Sequence, residues 1–168
     1  EQRPRSDAVD LGTGSGAIAL AIASAVPDCR VMATDSSERA LAVAADNARR
    51  LQLPIRLGAG DWWDAVGQQT FDLALSNPPY VAASDPHLHA LRHEPAAALV
   101  AGPDGLAAVR QIVTGSRQHL RPGGWLVLEH GWNQAEAVRD LLDSAGFSQT
   151  QSRRDLAGHW RCTGARRT

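Results

Sequence analysis

The chain has 168 residues, of which 43% are apolar and 21% are charged, so it is large and apolar enough to bury a core. Lys and Arg (17) nearly balance Asp and Glu (18), and the net charge is −1. Phosphate binding usually needs a basic surface, so this balance argues against a direct nucleic-acid partner. Some arginines do lie near the C-terminal end, and we attribute them to a frayed, solvated terminus: Arg153, Arg154, Arg161, Arg166 and Arg167.

Nothing in the sequence predicts a membrane segment or a metal site. The longest apolar run, from Gly16 to Val26, is too short to cross a membrane and lacks the flanks of a signal peptide. Cys29 and Cys162 match no metal-binding spacing, and we expect them to be inert, partly buried thiols in a reducing compartment. We therefore expect a cytoplasmic protein, and a monomer.

Segments typical of strands and of helices alternate along the chain. In chain order we predict a strand at 8–11, a helix at 17–25, a strand at 30–34, a helix at 38–51, and strands at 55–57 and 71–76. A loop from 77 to about 103 follows, then a helix at 104–120, a turn at 122–124, a strand at 125–129, a helix at 134–145, and strands at 147–153 and 160–165. This order predicts an α/β fold with a doubly wound, seven-stranded mixed sheet and a C-terminal antiparallel hairpin.

A glycine-rich loop joins the first predicted strand to the first helix. Gly12, Gly14 and Gly16 let the backbone turn tightly and approach a ligand closely. Their G-x-G-x-G spacing differs from the G-x-G-x-x-G of dinucleotide sites, which bind a pyrophosphate. S-adenosylmethionine has no phosphate, so we expect this loop, Thr13 included, to hold that cofactor. Asp10 then reaches the ammonium group of the cofactor, directly or through water.

Two further acidic residues extend the predicted cofactor site. Asp35 ends the second strand, where a carboxylate can accept from both ribose hydroxyls; alternatively it only caps the following helix. Asp61 follows the third strand, beside the expected position of the adenine, and can accept from its amino group. Trp62 packs on the adenine ring in this interpretation, although a purely structural place in the core is the alternative.

Asn77, Pro78, Pro79 and Tyr80 follow the fourth predicted strand directly. Folds of this kind bind ligands at the carboxyl edge of the sheet, so we place the substrate site here. The prolines could simply end the strand, but that explains neither Asn77 nor Tyr80. A planar amide or amine carries N–H donors that Oδ1 of Asn77 and the carbonyl of Pro78 can accept, while Tyr80 packs against the flat group.

The expected chemistry is direct methyl transfer. Accepting the N–H protons shifts electron density onto the nitrogen and aims its lone pair at the sulfonium methyl. The sulfonium is already a reactive leaving group, so the site needs no general base. Asn77, Pro78 and Tyr80 are therefore the predicted catalytic residues, and Asn77 also faces the cofactor.

With these motifs the chain resembles the protein-glutamine N5-methyltransferases that act on peptide chain release factors, the HemK/PrmC family. The resemblance runs along nearly the whole chain. It is carried by DLGTGSGAIALA at 10–21, SNPPY at 76–80, DPHL at 85–88, EP at 94–95 with AL at 98–99, DGL at 104–106, LEHG at 128–131, EAVR at 136–139 and RDLAG at 154–158.

The resemblance implies a class I, Rossmann-like methyltransferase that uses S-adenosylmethionine and releases S-adenosylhomocysteine. It implies that Asn77 and Pro78 hold the glutamine amide of a Gly-Gly-Gln loop in a release factor, and that Gly12, Asp35 and Asp61 hold the cofactor. The family also carries an N-terminal helical domain that helps to dock the release factor. Nothing before Arg3 corresponds to it, so we expect residues 1–168 to form a single catalytic domain.

Two other functions are alternatives to this one. The glycine loop and Asn-Pro-Pro-Tyr are shared with enzymes that methylate amino groups of adenine or guanine in DNA or RNA, but the net charge of −1 provides no basic face. A non-catalytic module that has kept the fold is the second alternative, and the intact Asn-Pro-Pro-Tyr argues against it.

The remaining polar candidates receive lesser roles. His87 and His89 form an H-x-H without a third ligand in reach, so we expect solvated loop histidines and no metal. His130 follows a buried strand, and we expect it to orient or pack rather than to act as a base. Glu94 could pin the long loop over the site, or lie exposed in it.

Overall fold

The computed structural model describes residues 6–81 and 101–168, which form a sheet flanked by helices on both faces. The elements are β1 (Asp7–Leu11), α1 (Ala17–Ala25), β2 (Arg30–Asp35), α2 (Glu38–Leu51), β3 (Ile55–Ala59), a 3-10 helix (Trp62–Val66), β4 (Phe71–Ser76), α3 (Ala107–His119), β5 (Leu120–Glu129), α4 (Ala135–Ser144), β6 (Phe147–Arg154) and β7 (Trp160–Arg167).

The sheet has the strand order β3-β2-β1-β4-β5-β7-β6. The strands from β1 to β5 pair in parallel, and β7 runs antiparallel to both β5 and β6. The chain thus winds outward from β1 in one direction, returns to the middle at β4, and continues in the other direction. The predicted doubly wound, seven-stranded mixed sheet with a C-terminal antiparallel hairpin is confirmed.

Two apolar clusters fasten the helices to opposite faces of the sheet. The larger one joins β1, β4 and β5 to α3 and α4 and includes the fully buried Ile112, Leu126 and Val138. The smaller one joins α1 to β2 through Ala19, Ala23, Val31 and Ala33. Alanines on α1 let that helix lie close to the sheet, which keeps the loop before it near the end of β1.

The start of α3 differs from the prediction. The helix begins at Ala107 rather than at residue 104, because Gly105 has a φ of +73° that no helix accepts. The side chain of Asp104 turns back to accept a hydrogen bond from the backbone N–H of Leu106 at 3.1 Å. The segment before α3 is therefore a tight turn.

The predicted turn at residues 122–124 is also wrong, since these residues lie inside β5. The partner of Phe71 on β5 is Leu120, whereas the partner of Leu73 is Trp125, so β5 carries extra residues between these pairs. Pro122 and the glycines after it form a bulge that bends the strand without ending it.

The C-terminal end is ordered within the sheet, contrary to the expected frayed terminus. β7 continues to Arg167, whose guanidinium donates to the backbone carbonyl of Leu120. The pairing of β6 with β7 contains two irregularities, one between Ser148 and Gln151 and one between Arg153 and Arg154. Cys29 and Cys162 are both free and half-buried.

His130 is fully buried between β5 and β7 and lies in a chain of hydrogen bonds. Its Nδ1 lies 2.9 Å from the carbonyl of Gly131, which can only accept, so Nδ1 carries the proton. Its Nε2 then accepts from the hydroxyl of Thr163 at 2.8 Å, and Thr163 in turn accepts from Ser152 at 2.9 Å. The predicted orienting or packing role fits this enclosed position, because a base must reach its substrate.

Trp63 anchors the 3-10 helix to α3. It is buried, its indole Nε1 donates to the carbonyl of Ile112 at 2.8 Å, and its ring stacks on His119 with 4.9 Å between centroids. Gly115 of α3 faces this ring so closely that a Cβ there would lie 2.3 Å from Cδ1 of Trp63. A glycine inside the helix is thus required by packing, although glycine is unfavourable there in isolation.

We expect Gly115→Ala to destabilise the fold. Helix propensity alone would stabilise it by about 1 kcal/mol, but a methyl group would displace the fixed indole of Trp63, and such overpacking costs about 1–3 kcal/mol. Urea unfolding of the variant measures the net sign. Thr114→Ala, an exposed change on the same helix, is the matched control and should alter stability by less than about 0.5 kcal/mol. A Gly115→Ala protein more stable than the wild type would contradict this account.

We also expect a pH-dependent contribution of His130 to stability. Burial lowers its pKa below the ordinary value of 6.5, so the unfolded chain binds the proton more readily than the folded protein. The contribution is complete above pH 6.5 and is lost as the pH falls below it. Urea unfolding of the wild type and of His130→Gln should therefore show the largest difference at pH 7.5 and a smaller one at pH 5.5. A constant difference across this range would mean that His130 stays neutral or is not linked to folding.

Candidate functional site

The glycine-rich loop and the Asn-Pro-Pro-Tyr segment begin side by side. β1 and β4 are neighbours, and the last residues of the two strands, Leu11 and Ser76, are paired. The hydroxyl of Ser76 donates to the carbonyl of Leu11 at 2.6 Å and is buried. Both segments therefore leave the sheet at the same carboxyl edge, as the sequence predicted.

Asp10 lies fully buried under the glycine loop. Its Oδ2 accepts from the hydroxyl of Thr13 at 2.6 Å and from the backbone N–H of Ala19 at 3.2 Å. Its Oδ1 is buried and has no hydrogen-bond partner among the described residues. Burial raises the pKa of this carboxyl, and the hydrogen bonds from Thr13 and Ala19 only partly oppose that effect. One carboxylate oxygen of Asp10 thus shapes the loop, and the other is a buried acceptor that no donor of residues 6–81 or 101–168 reaches.

The three glycines of the loop serve different purposes. All have positive φ, with values of +71° at Gly12, +56° at Gly14 and +85° at Gly16. A Cβ on Gly16 would lie 3.1 Å from Cβ of Ala44, so this glycine lets α2 approach. A Cβ on Gly14 would meet no atom of residues 6–81 or 101–168 within 4 Å, so this glycine borders open space. Gly14 is therefore the glycine best placed for a ligand.

Asp35 ties the glycine loop to the end of β2. Its Oδ2 accepts from the backbone N–H of Gly14 and its Oδ1 from that of Ser37, both at 2.9 Å. The cap of α2 is Ser37, whose hydroxyl accepts from the N–H of Ala40 at 3.3 Å. Asp35 is thus not needed as the cap, and a carboxylate has about four acceptor positions, so two remain for a ligand.

Asp61 and Trp62 lie at the start of the 3-10 helix. Asp61 is exposed and does not cap that helix with its carboxylate. Trp62 is half-buried, and a Cβ on Gly12 would lie 3.1 Å from its ring, which therefore covers this glycine. Its indole Nε1 donates to Oε1 of Gln111 on α3 at 2.8 Å. The ring packs partly on the core cluster, so the structural alternative for Trp62 explains at least one side of it.

The Asn-Pro-Pro-Tyr segment extends from the end of β4 over the sheet edge. Asn77 is exposed, Pro78 is buried, and Pro79 and Tyr80 are half-buried. The next residue, Val81, accepts a hydrogen bond through its carbonyl from the N–H of Ala101 at 3.0 Å. The exposed Asn77 therefore lies between two points at which the backbone is held, namely the paired end of β4 and the hydrogen bond at Val81.

Sequence reasoning missed two glutamines at this edge. Gln111 fixes the ring of Trp62, and the buried Gln134 donates to the carbonyl of Tyr80 at 3.1 Å. Residue 134 was predicted inside a helix, whereas it is the N-cap of α4, which starts at Ala135. Glutamine is not a preferred N-cap residue, so the sequence offered no signal for this position.

Other predicted features fall outside the described residues or give no site. His87, His89 and Glu94 lie in the segment 82–100, of which the structure describes nothing. Within residues 6–81 and 101–168, no three His, Cys, Asp or Glu side chains are grouped so that they could hold a metal ion. No helix in the same two ranges is long and apolar enough to cross a membrane.

Comparison with solved structures finds the same fold. A methyltransferase from Pyrococcus furiosus superposes with a TM-score of 0.74 at 22% identity, over 98% of this chain and 75% of that one. The T. thermophilus 16S rRNA N2 G1207 methyltransferase, solved with AdoMet and guanosine, gives a TM-score of 0.72 at 18% identity, over 97% of this chain and 38% of that one. At these identities the likeness establishes the fold, and the predicted class I methyltransferase architecture is confirmed.

Comparison with curated sequences finds proteins named release factor glutamine methyltransferase. The protein from Xylella fastidiosa (strain Temecula1) is 52% identical over 157 residues, which is 92% of this chain and 57% of that protein. The one from Bordetella pertussis is 52% identical over 93% of this chain and 59% of that protein. The one from Escherichia coli is 44% identical over 92% and 57%.

These relatives confirm the resemblance predicted from the motifs. The chain spans less than three fifths of the length of each of the three. In addition, the family model described as the methyltransferase small domain matches residues 1–102, which is more than half of the chain. The chain therefore belongs to the methyltransferase small domain family.

Proposed function

We propose that this domain transfers a methyl group from S-adenosylmethionine to the side-chain amide nitrogen, N5, of the glutamine in the Gly-Gly-Gln motif of peptide chain release factors. The observation that carries the proposal is the pairing of β1 with β4, which brings the glycine loop and Asn-Pro-Pro-Tyr to one edge. The names and high identity of the relatives support the choice of substrate.

The residues of the glycine loop fit S-adenosylmethionine by their chemistry. The buried Oδ1 of Asp10 lacks a donor among the described residues and suits the ammonium group of the cofactor, directly or through water. Gly14 borders open space, and Asp35 beside it keeps acceptor positions for the ribose hydroxyls. Asp61 is exposed and free of a capping role, which suits the adenine amino group.

Trp62 and the remaining loop residues complete this proposed cofactor site. The ring of Trp62 lies against Gly12 and can continue along the face of the adenine. Thr13 contributes by fixing the shape of the loop: its hydroxyl donates to Asp10, its N–H donates to the carbonyl of Thr34, and its carbonyl accepts from the N–H of Gly16. Gly16 supports the loop by allowing the contact with α2.

The proposed chemistry needs acceptors for the amide rather than a base. When bound, S-adenosylmethionine supplies an electrophilic methyl group on a positively charged sulfur. Oδ1 of Asn77 and the carbonyl of Pro78 accept the two N–H donors of the glutamine amide and orient its lone pair, while Tyr80 and Pro79 pack against the amide plane. The nitrogen gains the methyl group and releases one proton to solvent, and the carbon–sulfur bond breaks with its electron pair on sulfur, giving S-adenosylhomocysteine. Alignment supplies most of the rate enhancement.

The proposal includes the partner and the location. Because release factors work in translation, we place the domain in the cytoplasm. We further propose that it acts as a monomer, and on a protein rather than on nucleic acid or a membrane. Methylation of an adenine or guanine amino group is less well supported, because the net charge of −1 gives no basic footprint and the curated relatives carry the release factor name.

The proposed function is tested by transfer of a labelled methyl group. The chain is incubated with labelled S-adenosylmethionine and a release factor, and the label is located by mass spectrometry. We expect it on the glutamine of the Gly-Gly-Gln motif. A release factor with Gln→Ala at that position is the control and should remain unlabelled. Label on nucleic acid but not on the release factor would overturn the substrate assignment.

We expect Asn77→Ala to lower kcat by about 10²-fold or more, because it removes an acceptor aligned with methyl transfer. Asn77→Asp should not restore normal activity, since its added charge is solvated in the free protein and would be desolvated when the substrate amide covers it. The dissociation constant for S-adenosylmethionine should change little in either variant, because most of the proposed cofactor contacts come from the glycine loop, Asp35 and Asp61. Steady-state kinetics and calorimetry on the same preparations measure both quantities.

The competing explanation is that Asn77 only ends β4. In that case Asn77→Ala would lower the melting temperature but leave the kcat of the folded fraction near normal. That combination of results would remove Asn77 from the catalytic machinery.

A further inference from the structure

Gln134 joins three separate segments at the site edge through one buried side chain. Its Oε1 accepts from the backbone N–H of Gly131, after β5, at 2.8 Å. Its Nε2 donates to the carbonyl of Tyr80, after β4, at 3.1 Å and to the carbonyl of Asp104, before α3, at 3.2 Å. Only 9% of the residue is exposed. The amide is thus satisfied on both of its ends by backbone groups from three loops.

The use of this side chain is unusual for its position. Gln134 is the N-cap of α4, yet its side chain makes no cap hydrogen bond to that helix. It bonds instead to backbone groups of the loops beside the helix. The space around it is closely fitted: a Cβ on Gly105 would lie 2.3 Å from the carbonyl oxygen of Tyr80 and 2.7 Å from Nε2 of Gln134. A glycine is therefore needed opposite this contact.

The carbonyl that Gln134 holds is the far end of the Asn-Pro-Pro-Tyr segment. The near end is fixed because Ser76 pairs with β1 and β5. Between Ser76 and Tyr80 lie only Asn77 and two prolines, and proline fixes its own φ near −65°. With both ends held, the backbone that presents the Asn77 side chain and the Pro78 carbonyl has few other conformations.

We propose that Gln134 is a positioning residue that sets the direction of the acceptors of Asn77 and Pro78 by holding the carbonyl of Tyr80. The identity of the group that those acceptors bind rests on the proposed function. Gln134 itself touches neither the amide nor the cofactor in this proposal. Loss of its two donors should therefore affect the alignment of the reacting amide and leave cofactor affinity nearly unchanged.

Three variants test the proposal. Gln134→Leu removes all polar contacts, and Gln134→Glu keeps the shape but turns an ionised carboxylate toward the carbonyls of Tyr80 and Asp104. Val138→Ala is the matched control, because Val138 is fully buried on α4 and takes no part in the hydrogen bonds of the Gln134 side chain. We expect kcat to fall by about tenfold or more in both Gln134 variants at pH 8, since small misplacements are costly in aligned reactions. The control should retain the kcat of the wild type.

The pH profile separates positioning from a general loss of stability. Burial and the two facing carbonyl oxygens raise the pKa of the carboxyl introduced by Gln134→Glu. As the pH falls from 8.5 to 6, part of this group therefore takes up a proton and regains one donor, so the kcat of this variant relative to the wild type should rise. Gln134→Leu should show no such recovery. Asp104 does not interfere, because its hydrogen bond from Arg110 holds its pKa at about 2. Burial raises the pKa of Glu129 and lowers that of His130, which contacts Gly131, but both groups are present in every protein compared.

A second measurement does not depend on catalysis. Tyr80 is the only tyrosine of the chain, so uniform labelling with 3-fluorotyrosine gives one fluorine NMR signal that reports on this segment alone. We expect Gln134→Leu to shift, split or broaden that signal and Val138→Ala to leave it unchanged. If the wild type methylates no release factor, the proposed function fails, and the fluorine signal still decides the positioning role. A Gln134→Leu protein with the wild-type signal would overturn the proposal, as would wild-type kcat in the folded protein.

Discussion

The parallel pairing of β1 with β4 is the constraint on which the rest of the site depends. It places the ends of two strands that are distant in sequence next to each other, and a buried hydrogen bond of 2.6 Å from the hydroxyl of Ser76 to the carbonyl of Leu11 joins these ends. The loop that follows each strand then needs only local interactions to reach its final shape. Every other contact at this edge refines an arrangement that the register of these strands has already determined.

Much of this arrangement could be predicted because its signals are local. The glycine spacing at residues 12–16 reflects positive φ values, and the bounds of α1 and α2 follow from their apolar pattern and from the cap at Ser37. Asp10 and Asn77 stand directly at strand ends, so the sheet rule alone brings them to one edge. The alternation of elements was enough to give the doubly wound order and the antiparallel hairpin.

What could not be predicted depends on contacts between distant segments. The bulge at Pro122 reads as a turn in the sequence, and only its pairing with β4 shows that the strand continues. Gln134 reads as an ordinary helix residue, because nothing local indicates that its amide meets Tyr80, 54 positions earlier. The same holds for Gln111, which contacts Trp62 across 49 positions. Long-range polar contacts of this kind leave no periodic trace in a sequence.

The irregular pairing of β6 with β7 has a consequence for association with other chains. β6 is an outer strand of the sheet, and unpaired backbone groups at such a position can recruit a strand from another molecule. Its exposed side chains are polar or charged, including Gln151, Arg153 and Arg154, and its two irregularities interrupt the regular spacing of its free N–H and C=O groups. A strand from another molecule would face charged side chains and an irregular row of backbone hydrogen-bonding groups, so this edge of the sheet resists edge-to-edge aggregation.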